Sequence, residues 1–238
     1  MLYSKPMKTV FVVMDCETTK RNGLVFDFGW TSFDRAGKVY GEGSFIAKDV
    51  LALDNPFYKS KIARYWDMAY NREIVPATFA DIRERFNSHL KEIRDGRNKP
   101  ILCAYNAAFD TRVLAETSWK MLERRFLDDR AHMLDIWDAW ASSCPRRYTA
   151  EVSPSGNVRT TAESVFRYET GQPGFEEAHI AFPDTQIERI ILEKVLRRKK
   201  RLPIVDNPKD FHARPWKKVQ ERVKRKAPPE VIRDMFGG

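Results

Sequence analysis

The sequence predicts an α/β domain in which a mixed β-sheet is flanked by helices. Residues 9–14 are mostly β-branched, aromatic or otherwise apolar on both alternations, which is typical of a strand covered on both faces. Two further strands are predicted at 24–33 and 38–47, and the turn-forming residues between them indicate a hairpin. Beyond residue 78, helical and extended patterns alternate, as expected for an α/β or α+β sheet domain of roughly 200 residues.

The elements in the rest of the chain follow from the spacing of apolar residues. Residues 53–77 mix charged and aromatic side chains and predict irregular or short helical structure. One later helix is expected to open with a capping box of Thr160 and Glu163 and to close at Gly171. Helices are predicted at 78–95, 107–126, 134–140, 160–171 and 184–200, and a buried strand at 101–105.

The net charge of +9 is concentrated near the C-terminus of the 238-residue chain. Residues 197–226 hold 13 Lys and Arg against three acids, so the rest of the chain is nearly neutral. Such a cluster is typical of a protein that binds a polyanion such as nucleic acid, and a solvated basic tail is the alternative. We therefore predict a sheet domain over 1–202 and a basic C-terminal extension over 203–238.

Composition also limits where the protein acts. The longest apolar run is far shorter than the ~20 residues of a membrane span, and the N-terminus lacks the pattern of a secretory signal. The cysteines, Cys16, Cys103 and Cys144, lack the spacing of a zinc site or a disulfide framework. We expect a cytoplasmic protein with no membrane partner, and a virus-encoded protein in a host cytoplasm fits this expectation.

Four acids are placed where strands end or helices begin. Asp15 and Glu17 follow the first predicted strand two residues apart, so both carboxylates point to one face and Cys16 to the other. Asp110 and Asp184 each lie early in a helix, in line with its apolar stripe. An unpaired buried carboxylate is costly. Helix capping and solvent-facing strand ends are one explanation, and a divalent cation shared by acids from separate elements is the other.

A pair of divalent cations ~4 Å apart, held by carboxylates, is the recurring arrangement for in-line attack on a phosphodiester. His179 lies five residues before Asp184, on the loop that enters the last helix. An imidazole can accept a proton from water near neutral pH, so His179 is a candidate general base, and a surface histidine is the alternative. The candidate metal ligands are Asp15, Glu17, Asp110 and Asp184.

Aromatic side chains are candidates for stacking on unpaired bases. Trp216 is the strongest of them, because basic residues flank it on both sides. Each of the others is expected to pack over the sheet when considered singly. These others are Phe57, Tyr58, Tyr65 and Trp66.

Three motifs in order resemble those of the DnaQ-like DEDD superfamily of 3′–5′ exonucleases. Asp15-Cys16-Glu17-Thr18-Thr19 resembles the first motif, DxETT, although Lys20 stands where a glycine often follows. Tyr105-Asn106-Ala107-Ala108-Phe109-Asp110 resembles the second, with Tyr105 in place of a frequent histidine. In the third, the histidine five residues before Asp184 favours the DEDDh branch. The resemblance spans about residues 8–200 and implies an RNase H-like fold.

The resemblance also implies a role for each residue. Asp15, Glu17 and Asp184 would bind a first Mg²⁺ or Mn²⁺, and Asp15 would bridge to a second ion that Asp110 holds through water. His179 would deprotonate the attacking water. Thr18 would contact the terminal nucleotide mainly through its backbone, and Asn106 would support the second motif.

The leading hypothesis is a metal-dependent 3′–5′ exonuclease that acts on the 3′ end of single-stranded DNA or RNA and releases nucleoside 5′-monophosphates. An exoribonuclease that trims RNA 3′ ends shares every candidate residue. A non-catalytic RNase H-like module that binds nucleic acid or a polymerase is the alternative from another class. A proofreading role would need a polymerase or other replication protein in trans, since the chain shows no polymerase domain, and the sequence leaves the oligomeric state open.

Overall fold

The sheet carries the site, and its strands correspond to the most regular part of the sequence pattern. The structure is a computed structural model that describes residues 7–20, 23–53, 59–145, 148, 157–207, 210–211 and 214–224. The strands are β1 (Lys8–Thr18), β2 (Val25–Asp34), β3 (Val39–Ala47), β4 (Val75–Ala77), β5 (Asn98–Ala104), β6 (His132–Asp135) and β7 (Ile204–Val205).

Helices connect and cover these strands. The residue Thr78 caps the longest helix of the first half and forms the capping box with Asp81, as the turn before a predicted helix should. The helices are α1 (Lys48–Leu53), α2 (Lys59–Tyr70), α3 (Phe79–Asp95), α4 (Ala107–Leu122), α5 (Ile136–Ser143), α6 (Ala162–Thr170), α7 (Ala181–Arg198) and α8 (Pro215–Lys224).

The sheet is mixed, with the strand order β4-β3-β2-β1-β5-β6-β7. β1, β2 and β3 form an antiparallel meander, whereas β5 and β6 run parallel to β1. The predicted hairpin and the α/β mixed sheet flanked by helices are therefore confirmed. Because β1, β5 and β6 are parallel, their carboxyl ends meet at one edge, where ligand sites of such sheets are usually found.

Each face of the sheet has its own core. Val10, Val12 and Met14 of β1 pack with α1 to α4 on one face. Phe11 and Val13 pack with α5 to α8 on the other. β1 is thus covered on both faces, as its two-sided apolar pattern predicts. Asp15 and Glu17 therefore lie near the carboxyl end of a rigid strand.

Two predictions of local structure were wrong. The helix predicted at 134–140 begins only at Ile136, because Leu134 pairs with Cys103 in the sheet and Asp135 caps α5 by accepting the N–H of Asp138 at 3.1 Å. The capping box of Thr160 and Glu163 is absent from the described structure. Thr161 caps α6 instead.

The described parts of the predicted extension lie against the domain. β7 pairs with β6 at the edge of the sheet. Val219 of α8 is buried beside α5, where Lys218 Nζ lies 2.5 Å from Asp138 and Arg222 donates to the carbonyl of Cys144 at 2.9 Å. The division at residue 202 stays a prediction. Two positive charges of the extension, on Lys218 and Arg222, are bound to other parts of the fold.

Candidate active site

The side chains of the first two acids point to one face of β1, as the alternation of the strand requires. Asp15 and Glu17 lie at alternate positions of the strand, and the residue between them, Cys16, belongs to the core on the opposite face. A register shift between Glu17 and Thr18 ends the regular pairing with β2. Thr18 is buried there, and its hydroxyl donates to the carbonyl of Lys20 at 2.8 Å. The strand therefore ends in a fixed turn directly after the acids.

A glycine opposite Asp15 lets the last acid come close. Gly29 of β2 is the register partner of Asp15. A Cβ atom at Gly29 would lie only 2.5 Å from the backbone nitrogen of Phe182. Because backbone cannot move aside as a side-chain tip can, only glycine allows the first turn of α7, which carries Asp184, to lie this near to the sheet.

Asp110 approaches from the other face of the sheet. It lies in the first turn of α4 and is 2% exposed. Asn106, which precedes the helix, is exposed and adopts a left-handed backbone with φ of 65°. The N–H and the thiol of Cys16 both donate to the Asp110 carboxylate. This contact ties the residue between the first two acids to the third.

Asp184 and His179 flank the start of α7. Asp184 is 3% exposed, and one of its oxygens accepts the N–H of Ile180 at 3.1 Å. Asp27 of β2 accepts the N–H of Ala181 at 2.9 Å and so fixes the helix start to the sheet. His179 is exposed and has a φ of 49°, a strained conformation for a residue other than glycine.

The structure gathers the predicted catalytic residues at one sheet edge in two neighbouring groups. Ligand atoms of Glu17, His179 and Asp184 all lie within 4.8 Å of one another. Asp15 and Asp110 are not part of that set, but each interacts electrostatically with acids of the site. Among the described residues, one carboxylate oxygen of Asp110 and one of Asp184 are buried and have no hydrogen-bond partner.

Burial and mutual repulsion dominate the electrostatics of the site. Burial, and then the charges of Asp110 and other nearby acids, raise the pKa of Asp15 well above its usual range. Burial raises the pKa of Asp110 to about 7 despite its bonds from Cys16. Burial, and then Glu177 and Glu17, raise the pKa of Asp184 to about 8. Within the described parts of the chain, no ion pair neutralises Asp15, Asp110 or Asp184.

Sequence reasoning missed Glu188. It lies one turn after Asp184 on α7, is 3% exposed, and accepts the N–H of Tyr105 at 3.1 Å. Its charge is among the causes that raise the pKa of Asp15, and burial followed by Asp110 raises its own pKa. The spacing of four residues from Asp184 was the available signal, because it places both acids on one side of the helix.

The predicted stacking residues have different fates. Tyr65 is buried, and its hydroxyl donates to Asp27 at 2.7 Å, so it packs in the core. Trp66 is 48% exposed on α2. Trp216 is half-buried and lines the same cavity as Asp15 and Asn106. Phe57 and Tyr58 lie outside the described residues.

Solved structures resemble the chain, whereas family models and curated proteins do not. No family model matches the chain, and no curated protein matches it. Among solved structures, it is similar to exonuclease X in complex with 5′ overhanging duplex DNA, with a TM-score of 0.46 and 12% identity over 79% of this chain and 91% of that chain. A likeness this distant carries no argument about activity, so the chemistry must be judged from the side chains. In the described part of the chain, no helix has the length and hydropathy to cross a bilayer.

Proposed function

We propose that the chain is a divalent-metal-dependent 3′–5′ exonuclease that hydrolyses single-stranded DNA or RNA and releases nucleoside 5′-monophosphates. The observation that supports this most is the mutual repulsion of Asp15, Asp110 and Asp184, none of which has an ion-pair partner among the described residues, together with the buried unpartnered oxygens on Asp110 and Asp184. Most buried polar atoms of a folded protein have a hydrogen-bond partner, so an oxygen without one is free to contact a ligand or water. Trp30 Nε1 and Ser44 Oγ also lack a partner among the described residues, but they carry no charge that repels its neighbours.

The donor set suits Mg²⁺ or Mn²⁺. Hard cations prefer carboxylate oxygens, and this edge presents the predicted ligands together with Glu188. Glu17 and Asp184 with Asp15 would hold one ion, and Asp110 with Asp15 a second. When bound, such ions lower the pKa of an attacking water and stabilise negative charge on the leaving oxygen.

His179 would accept the proton of the attacking water. Its ring reaches the same small volume as Glu17 and Asp184, and it is exposed at the mouth of the site. The positive φ sets the direction in which the side chain leaves the loop. A strained backbone at this position is the kind of feature that functional sites retain.

The proposed 3′–5′ direction rests on the motif resemblance, and the turn at Thr18 is compatible with it. This turn closes the site beside the first acids and would accommodate a strand terminus through backbone groups. A role beside a polymerase supplied in trans stays a prediction.

The proposal is tested with single strands of DNA and of RNA, labelled at the 5′ end and incubated with Mg²⁺ or Mn²⁺. We expect a ladder of products that shortens from the 3′ end, and nucleoside 5′-monophosphates as the released product. Chelation and Asp15→Asn should both abolish it. Shortening that survives Asp15→Asn would identify a contaminating nuclease, and strand binding without any metal-dependent cleavage would identify a non-catalytic binding module.

A further inference from the structure

A cavity of about 560 Å³ opens directly beside the acidic site. Its volume lies within the range of small-molecule pockets, roughly 300–1,000 Å³. Asp15 and Glu188 form part of its lining, so whatever occupies the cavity touches the candidate reaction centre. The other residues used below are Tyr105, Asn106, Trp137, Arg159 and Trp216.

One wall of the cavity is an aromatic pair held in place from behind. The rings of Tyr105 and Trp137 are stacked, with centroids 6.0 Å apart and planes 18° apart. The Tyr105 hydroxyl donates to the carbonyl of Thr160 at 2.6 Å, and Trp137 Nε1 donates to the hydroxyl of the same residue at 2.9 Å. Because one residue anchors both rings, this wall is preorganised for a flat ligand.

The basic helix α8 supplies another part of the lining. Trp216 lies in its first turn, and Lys217 Nζ is 5.9 Å from the centre of the Trp216 ring. The buried Val219 and the pair of Lys218 with Asp138 fix this helix to α5. Arg159 is exposed and also lines the cavity. Indole rings beside cationic side chains are the usual means of binding a nucleotide without selecting its base.

The charges of the lining also fix the orientation of a ligand. Asp15, Glu177 and Glu188 of the lining repel a bare phosphate. Arg159 of the lining, and Lys217 beside the Trp216 ring, attract one. A ligand with an uncharged flat ring and a charged phosphate matches this division. The side-chain amide of Asn106 is available at the same wall to donate to or accept from a ring edge.

We propose that this cavity binds one nucleotide next to the reacting phosphate, with its base against Tyr105, Trp137 and Trp216. This inference rests on the proposed exonuclease function, because that function supplies the strand. The same chemistry could come from a nucleotide within the strand or from the released nucleoside 5′-monophosphate.

The test is an equilibrium binding experiment in chelator, where no cleavage takes place, so that binding is measured independently of activity. Ten-nucleotide strands carry one abasic site, moved stepwise from the 3′ end. With the wild-type chain, an abasic site at one position should weaken binding about 10-fold. In Trp216→Ala, and separately in Trp137→Phe, the abasic site at that position should weaken binding less than in the wild type, because the stacking ring is lost or smaller.

Trp119→Ala is the matched control, since Trp119 is 57% exposed and lines a different cavity. Competition by free nucleoside 5′-monophosphate, weakened by Trp216→Ala but not by Trp119→Ala, would assign the cavity to the released nucleotide. The positional effect alone would assign it to the strand. If neither Trp variant changes the abasic profile or the competition while circular dichroism shows native folding, the inference is wrong even if metal-dependent cleavage is present. If the wild-type chain shows no metal-dependent cleavage but keeps the abasic profile and its dependence on Trp216, the proposed exonuclease function is wrong, whereas nucleotide binding in the cavity is retained.

Discussion

The pKa values of the carboxyl groups near the two ends of β1 are shifted in opposite directions. Near the beginning of β1, Asp34 of β2 is the register partner of Val10. It accepts the N–H groups of Ala36 and Lys38 at 2.9 and 3.1 Å and the hydroxyl of Tyr40 at 3.1 Å. Burial opposes its ionisation, but these donors and then the charge of Lys8 lower the pKa of Asp34 overall. At the other end, burial and neighbouring acids raise the pKa of Asp15.

The contrast separates an acid whose hydrogen-bond donors the fold supplies from acids that the proposed metal site would use. Asp34 is completed by its own hairpin, so its charge stabilises the fold without help from outside. Asp110 and Asp184 each keep a buried oxygen without a partner among the described residues. Such groups cost free energy in folding, of about 1–3 kcal/mol for an unsatisfied buried polar atom. A cost of this kind persists in a protein when another property, such as metal binding, depends on it.

The largest expected effect is on the cleavage rate, and it concerns an acid of the proposed metal site. Asp110→Asn keeps the shape of the side chain but removes a charge that would bind a divalent cation. We expect the cleavage rate to fall on the order of 10⁴-fold, since metal stabilisation of the transition state is worth several kcal/mol. Initial rates under single-turnover conditions measure it.

Asp34→Asn is the matched substitution at the other end of β1. It removes a buried charge of the same type, and we expect a cleavage rate within about twofold of the wild type because metal binding is untouched. Equal loss of activity in both variants would mean that folding, rather than a metal site, explains the effect of Asp110→Asn.

The next effect concerns the proton acceptor. His179→Ala should lower the cleavage rate about 10³-fold, within the usual contribution of a general base. Added imidazole should restore part of the rate, because the missing group is a small base at an exposed position. His132→Ala is the control, since His132 pairs with Asp206 away from the site. A His179→Ala variant without rescue and with a rate like that of His132→Ala would remove His179 from the mechanism.

A smaller effect is expected at the acid that sequence reasoning missed. Glu188→Gln keeps an acceptor for the N–H of Tyr105 but removes the charge beside Asp15. We expect Mg²⁺ affinity to fall about 10- to 100-fold, the usual effect of removing a group that supports a metal site. Protection from thermal unfolding by Mg²⁺ measures the affinity directly.

Glu193→Gln is the control for this substitution, because Glu193 lies on the same helix and pairs only with Arg189 among the described residues. Equal Mg²⁺ affinity in the wild type, Glu188→Gln and Glu193→Gln would show that Glu188 does not act on the metal site.

The predictable parts of the molecule are those in which local pattern and fold agree. The two-sided apolar run of β1 and its alternation are enough to predict the direction in which Asp15 and Glu17 point. The stripes of α4 and α7 place Asp110 and Asp184 toward the sheet in the same way. Such predictions succeed because they depend only on the order of residues along one element.

The parts that sequence reasoning missed depend on contacts between distant residues. An apolar residue at position 134 is compatible with a strand and with a helix. Only the pairing of Leu134 with Cys103 in the sheet decides between them. Glu188 resembles any helical acid until α7 packs against the edge that holds Asp15 and Asp110. The close approach of Phe182 to Gly29 is likewise set by the fold and not by a pattern near either residue.

The smallest effect is on stability without metal, and it differs in sign between the two ends of β1. Unfolded carboxyl groups ionise near pH 4. Folded Asp110 and Asp184 hold their protons to pH values of about 7 and about 8, so the folded state binds more protons in between. These two carboxyl groups therefore contribute their full stabilisation below pH 4, and this contribution is lost as the pH rises through 7 and 8. Asp34, with its lowered pKa, does the opposite and loses stability only as the pH falls.

Urea unfolding in chelator at a series of pH values separates these contributions. Asp184→Asn should flatten the decline between pH 5 and 8, whereas Asp34→Asn should lower stability at pH 7 by about 1 kcal/mol through weaker hydrogen bonds. Mg²⁺ at 100 times its dissociation constant should restore about 2.7 kcal/mol to the wild type at pH 8, because it binds only the folded site. A wild-type stability that rises from pH 5 to 8 in chelator would contradict the repulsion among the acids, and with it the reason for a metal at this edge.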